Sequence, residues 1–244
     1  MQTKSKRKIN KFSLVVILLF VYLAFSLCYY LFTLPIKNIY ISGNEYVSDA
    51  TIIEDASIKN YPSLFKVSRR KIKKKLLKNP FINSVSVKKS VTGKIKITVD
   101  ESKPLFYNRN LNKTVLLNGK EIDENTYQIP SLINIVPNDI YKDLIKSFNK
   151  VDYSIIMQIS EIEYNPDIIN GKTIDQQRFI LRMIDGNSVY INPVNIKRLN
   201  NYFDVYDRLP ENVKGILYLD SNSDNNMFKM YGAKEASEVT PNEE

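Results

Sequence analysis

I-K-N-I-Y-I-S-G-N-E-Y-V-S, residues 36–48, is the stretch that decides how the chain is read. Ile39 and Ile41 alternate with Asn38, Tyr40 and Ser42, the period of a strand with one apolar face, before a turn at Gly43-Asn44. Ser48 suits a helix N-cap, and Asp49 suits the positive end of that helix's dipole. Val47 and Ile52 stand at the two positions of a hydrophobic staple. The same device recurs with Ser68 as cap and Val67 and Ile72 as staple. Ile72, Leu76 and Leu77 make the second helix's apolar stripe, and Pro80 ends it, because a residue before proline avoids the α region. Val85 and Val87 then alternate with Ser84, Ser86 and Lys88. After a turn at Thr92-Gly93, Ile95, Ile97 and Val99 alternate with Lys94, Lys96, Thr98 and Asp100. Residues 36–103 therefore read β-α-α-β-β, a small α+β unit whose helices cover one face of its strands.

Upstream, Phe12 to Leu34 carries no charge and spans roughly 34 Å as a helix, enough to cross a bilayer. Residues 1–11 hold Lys4, Lys6, Arg7, Lys8 and Lys11 with no acid, so this tail belongs in the cytoplasm and the bulk outside. A cleaved signal peptide fits less well. Its apolar core runs about 7 to 15 residues and ends at small residues, whereas Tyr29, Tyr30, Leu31 and Phe32 are bulky. Cys28 follows Leu27, which is not the small residue that a lipoprotein site needs.

Composition excludes several chemistries. With no histidine there is no Ser-His-Asp triad, no imidazole base and no His-ligated zinc. The single cysteine lies in the apolar tract, so the outer part has no disulfide. Of the net charge of +9, the tail supplies five, leaving a mild basic excess that suits anionic lipid or wall polymer and does not require nucleic acid.

Downstream, residues 104–220 read as a larger α+β domain with a mostly antiparallel sheet. Val115, Leu116 and Leu117 run into a hairpin signal at Asn118-Gly119, and Ile129-Pro130-Ser131-Leu132 gives an I-P-x-L step. A helix from Asn138 or Asp139 puts Ile140, Leu144, Ile145, Phe148 and Val151 on one face. Phe179 to Ile184 and Val189 to Ile191 flank a second hairpin signal at Asp185-Gly186. A further helix carries Ile196, Leu199, Phe203 and Tyr206 and stops before Pro210, and Gly215 to Asp220 reads as a last short strand. Residues 221–244 read as a disordered polar tail.

Three pieces in order, Ile39 to Ser48, Asn79 to Lys88 and Ile95 to Pro104, behind a single apolar segment, resemble the POTRA domain of the FtsQ/DivIB family of bacterial cell-division proteins. The I-P-x-L step and the final G-x-x-x-L-D strand are similar to that family's larger domain, so the resemblance covers residues 1 to about 220. It implies a non-catalytic divisome scaffold, a single-pass protein at the division septum. Its implied partners are the membrane-anchored coiled-coil proteins FtsB/DivIC and FtsL, and no cofactor is implied. By position, the partner site falls on Ile216, Leu217, Tyr218, Leu219 and Asp220.

The residues themselves point the same way. A short strand near the end of a folded chain often forms a sheet edge that takes a partner's strand. Ile216, Tyr218 and Asp220 would face one side, and Leu217 and Leu219 the other. The rival for those leucines is simple core packing. Arg69, Arg70, Lys71, Lys73, Lys74, Lys75 and Lys78 form a basic helix that could meet an anionic surface, though such runs are more often solvated faces. Glu161 and Glu163 share a strand face but are badly placed to straddle a sugar ring, and no S-x-x-K or Gly-rich phosphate loop sits in a catalytic context. The alternative to a scaffold is an anchored POTRA chaperone or export-assembly factor that binds extended strands.

Overall fold

The structure, a computed structural model, describes residues 10–208, 213–221 and 227–232, so Lys4, Lys6, Arg7, Lys8 and Pro210 lie outside the described residues. It divides into two units, residues 1–101 and 102–244.

The first unit begins with α1 (Lys11–Thr33), 23 residues long and with none buried. The chain then enters β1 (Asn38–Ser42), α2 (Asp49–Asp55), α3 (Arg69–Leu76), β2 (Ile82–Lys89) and β3 (Lys94–Glu101). β3 is central, parallel to β1 and antiparallel to β2, the expected β-α-α-β-β unit. Ile52, Ile72 and Leu76 from the helices and Ile95, Ile97 and Val99 from β3 form its core. The Ser48 hydroxyl accepts from the Thr51 N–H at 3.1 Å and caps α2. Ser68 precedes α3 with the same extended backbone, yet its side chain makes no cap bond, and nothing around it explains the difference. Gly43 has φ +86°, and a Cβ there would lie 2.1 Å from the Val99 carbonyl oxygen. The Glu101 carboxylate accepts from the N–H groups of Glu45, Tyr46 and Val47 at 2.8, 2.7 and 3.3 Å, tying the loop after β1 to the end of β3.

The second unit contains β4 (Pro104–Asn108), β5 (Lys113–Leu116), β6 (Glu121–Ile122), β7 (Ser131–Leu132), α4 (Asn138–Phe148), α5 (Tyr153–Ile156) and β8 (Ile159–Tyr164). There follow β9 (Asp167–Ile169), β10 (Lys172–Asp175), β11 (Phe179–Met183), β12 (Ser188–Ile191), a 3-10 turn (Ile196–Asn201), α6 (Tyr202–Tyr206), β13 (Gly215–Tyr218) and β14 (Met227–Met230). β9 and β10 form a separate ribbon, and the rest make one nine-stranded sheet in the order β14-β13-β12-β11-β8-β7-β4-β5-β6, mostly antiparallel. Both hairpin turns fall where expected, with Gly119 and Gly186 at positive φ. Ile140, Leu144, Ile145, Phe148 and Val151 are all buried in one core cluster with Leu181, Val189 and Leu217.

Two expectations need correction. The helix after residue 195 begins as 3-10, which repeats every three residues, so Ile196, Leu199 and Tyr202 turn inward while Phe203 is 42 % exposed. A stripe spaced for an α-helix misses that slip. The polar tail is also not all tail, because Met227–Met230 pairs antiparallel with β13. Composition averaged over a polar segment hides a four-residue strand whose Phe228 packs on the core. Residues 222–226 and 233–244 lie outside the described residues.

Candidate docking edge of the large sheet

Register places the side chains at the C-terminal end of the sheet. Ile162, Leu181, Val189, Leu217 and Phe228 lie in one cross-strand row and pack in or against the core. Because strand side chains alternate, the adjacent rows face away from it. One runs Glu163, Ile180, Tyr190, Tyr218, Met227, and the other runs Glu161, Arg182, Ser188, Ile216, Lys229. The outer face thus changes character across the sheet. At β8 and β11, Arg182 bridges Glu163 at 2.8 Å and Glu161 at 3.6 Å, and Arg109 reaches Glu161 at 3.2 Å. At β12 to β14 it carries Tyr190, Tyr218, Ile216 and Met227, with Ser188 and Lys229 among them. The Tyr190 and Tyr218 rings stack 5.2 Å apart, and the Arg178 guanidinium lies 4.7 Å from the Tyr190 ring centre.

This revises the expected edge. β13 is an interior strand, parallel to β12 on one side and antiparallel to β14 on the other, so its main chain is already used. Leu217 and Leu219 are buried in the core and not presented to a partner. Ile216 and Tyr218 remain half-buried on the outer face. Among the described residues the sheet ends at β14, with Met227 and Met230 exposed.

The termini of β13 are held from three directions. The Gly215 N–H donates to Asn187 Oδ1 at 3.0 Å, and Tyr202 donates its hydroxyl to Asp185 at 2.7 Å in the same cluster. Burial and that acidic partner push the Tyr202 hydroxyl's pKa well up, so it stays a donor. A Cβ on Gly215 would lie 2.2 Å from the Lys229 carbonyl oxygen, so β14 can approach only a glycine. Past the strand, Asn192 and Asn195 donate to the Asp220 carbonyl at 3.0 and 3.1 Å, and Arg198 donates to the Ser221 carbonyl at 2.8 Å. The Asp220 carboxyl is raised by burial, against its own backbone N–H and the charge of Arg178, which lower it.

The basic helix residues Arg69, Arg70, Lys73, Lys74, Lys75 and Lys78 are all exposed on or just after α3, and Lys75 donates to Ser57 Oγ at 2.6 Å. Among the described residues no three His, Cys, Asp or Glu side chains converge on a point that could hold a metal ion. What the sequence reading missed is β14, the Gly215 contact and the Asn192/Asn195 clamp. The one signal available was the apolar Met227, Phe228 and Met230 just past a polar run.

Residues 34–102 match the FtsQ-type POTRA domain family. Over 88 % of its length the chain is 26 % identical to the cell division protein DivIB of Bacillus subtilis, covering 83 % of that protein. It is 28 % identical over 82 % of its length to DivIB of Bacillus anthracis (77 % of that protein), and 26 % identical over 91 % to DivIB of Geobacillus kaustophilus (87 %). The solved extracytoplasmic domain of DivIB from Geobacillus stearothermophilus overlaps 46 % of this chain and 90 % of its own, at 18 % identity. The TM-score is 0.32, too loose a superposition to compare the folds.

Proposed function

From the premise that this chain is a homologue of the DivIB cell division proteins and carries an FtsQ-type POTRA domain, we propose that it is a non-catalytic scaffold of the division septum. The homology supports a role in cell division, and the apolar N-terminal helix fits a single-pass membrane protein. In this reading the basic tail stays in the cytoplasm and the two folded units stand outside. The partners are a coiled-coil pair resembling FtsB/DivIC and FtsL, themselves anchored in the same membrane. Sharing one membrane raises the partners' effective concentration, so a modest interface suffices to assemble them.

One observation carries the proposal: the outer face of the large sheet passes from the Arg182–Glu161–Glu163 cluster to the stacked Tyr190 and Tyr218 with Ile216 and Met227, beside Lys229, where the sheet ends among the described residues. A partner segment added along β14 would gain main-chain hydrogen bonds, and its neighbouring side chains would meet Met227, Tyr218 and Ile216. Ion-paired Glu161 and Glu163 then serve as a solvated sheet face and not as a catalytic pair.

The test uses the full chain in nanodiscs and the outer segments of the same organism's DivIC-like and FtsL-like proteins. Saturable binding that weakens roughly tenfold or more in Tyr218→Lys and is unchanged in Glu163→Gln supports the scaffold and its site. Binding that survives Tyr218→Lys removes the site from this end of the sheet. Absence of binding to the pair, with capture of unrelated extended peptides, overturns the scaffold in favour of the strand-binding chaperone.

A further inference from the structure

The membrane end of the first unit carries a surface that the scaffold reading does not use. Only four residues separate the last helical residue of α1, Thr33, from the start of β1, and they are not a free tether. Leu34 and Ile36 are buried, the latter 3 % exposed. The Leu64 N–H donates to the Leu34 carbonyl at 2.8 Å and the Ile36 N–H to the Pro62 carbonyl at 3.1 Å. The Ser63 hydroxyl donates to the Phe32 carbonyl inside the last turn of α1, and the Phe65 ring lies 6.1 Å from the Phe32 ring. The segment around residues 62–65 is thus fastened to the helix end, and α3 starts four residues after Phe65.

The side chains collected there are of two kinds. Phe65 is 44 % exposed, and Val91, at the tip of the β2–β3 turn, is 76 % exposed. That turn is held beside the chain leaving the helix, since the Lys37 N–H donates to the Gly93 carbonyl at 2.7 Å. With Phe65, the cations Arg69, Arg70 and Lys89 line one open concavity, together with Val67 and Ser68. Lys89 donates to the Val67 carbonyl, and burial and the neighbouring Arg69 both push its pKa down. A partly covered ammonium beside a guanidinium is relieved by an added anion. Aromatic and apolar side chains interleaved with cations, next to the aromatic end of a spanning helix (Tyr29, Tyr30, Phe32), match the headgroup layer of a bilayer.

We propose that this face, Phe65 and Val91 with Arg69, Arg70 and Lys89, rests on the outer leaflet and binds the phosphate groups of anionic phospholipids, fixing the first unit against the membrane surface. Continuity with the anchor favours lipid over a soluble partner, because the short, buried connection cannot carry this face far from the bilayer. The basic run thereby divides into two. Arg69 and Arg70 face headgroups, whereas Lys75 and Lys78 line a separate hollow with Asp55, Ser57 and Asn79. The inference rests on α1 spanning the membrane and is independent of the docking edge.

The experiment places the full chain, with Cys28→Ser and a fluorophore on Val91→Cys, in nanodiscs of phosphatidylcholine alone or with phosphatidylglycerol, and measures quenching by headgroup-level nitroxide lipids. Failure of the chain to enter discs would disprove the anchor reading itself, separately from the surface contact. The expected result is quenching that rises with phosphatidylglycerol. Each cation removed should cost about fivefold in the contact equilibrium. Arg69→Gln/Arg70→Gln should therefore abolish the dependence, and Lys75→Gln/Lys78→Gln, with the same change in charge, should keep it. Equal loss in both double variants overturns the local contact in favour of general charge attraction. No quenching in either disc, with a spectral shift on adding soluble poly(glycerol phosphate), overturns lipid in favour of wall polymer.

Discussion

Gly43 and Gly215 both sit where two backbones touch, in the first and second units respectively, but only one of them announces itself. A Cβ on Gly43 would meet the Val99 carbonyl oxygen at 2.1 Å, and one on Gly215 the Lys229 carbonyl oxygen at 2.2 Å. Gly43 lies in a turn at φ +86°, beside Asn44 and after an alternating strand, so its neighbours in sequence declare its role. Gly215 has ordinary strand geometry, and its reason is a strand that begins at Met227 after a polar connection. A turn is specified by a few adjacent residues, whereas the approach of two strands is specified by everything that lets them pack.

The largest effect expected is at Gly43. Gly43→Ala combines a left-handed backbone with a clash against the centre of a three-stranded sheet, and should cost about 3 kcal/mol or more, read as a loss of thermal stability in the first unit. At Gly215 the molecule has an escape that Gly43 lacks, because β14 can detach. Gly215→Ala should cost about 2 kcal/mol and strip hydrogen-exchange protection from residues 227–230 while leaving Val189 and Leu181 protected. Global unfolding of the second unit in that variant would mean that β14 is integral to the core and no detachable edge.

A smaller contrast separates the two helix starts. Ser48→Ala should cost about 1 kcal/mol and Ser68→Ala only a few tenths, measured as shifts in urea midpoint, since only Ser48 makes the cap bond. Equal losses would show that Ser68 does cap α3 in solution. The smallest effect concerns pH. Asp220 is raised in the folded state, so between its ordinary value and its folded value the native chain binds the extra proton. Its contribution therefore weakens as pH rises through that window, and Asp220→Asn should gain stability over the parent on going from pH 4 to pH 7. A difference that stays flat with pH would remove burial of that carboxyl from the account.

The first unit was legible almost element by element. The Ile39/Ile41 and Ile95/Ile97/Val99 alternations, the Ser48 cap and the Pro80 stop all rest on contacts within a few residues. The order of its sheet is a further matter. That β1 lies parallel to β3 and not beside β2 follows from the two-helix crossover, not from any strand's own pattern. In the second unit the hairpins at Asn118-Gly119 and Asp185-Gly186 and the stripe of α4 were equally readable. Tyr202 is hidden by a 3-10 start that shifts the period, and β13 reads as a sheet edge although β14 pairs along its far side. Neither error could be mended locally, because a strand does not encode which strands flank it.

By itself, then, the sequence determined an apolar helix of membrane length, a β-α-α-β-β unit after it, a larger sheet domain, and the absence of histidine and disulfide chemistry in the residues that follow the helix. These depend on composition and on periods of two and 3.6 residues, which every local window contains. Tertiary structure alone decided that β13 is interior, that Tyr190 and Tyr218 stack on the outer face, and that Phe65 meets Phe32 at the end of α1. Those facts join residues about thirty positions apart, and only the packed chain brings them within reach of one another.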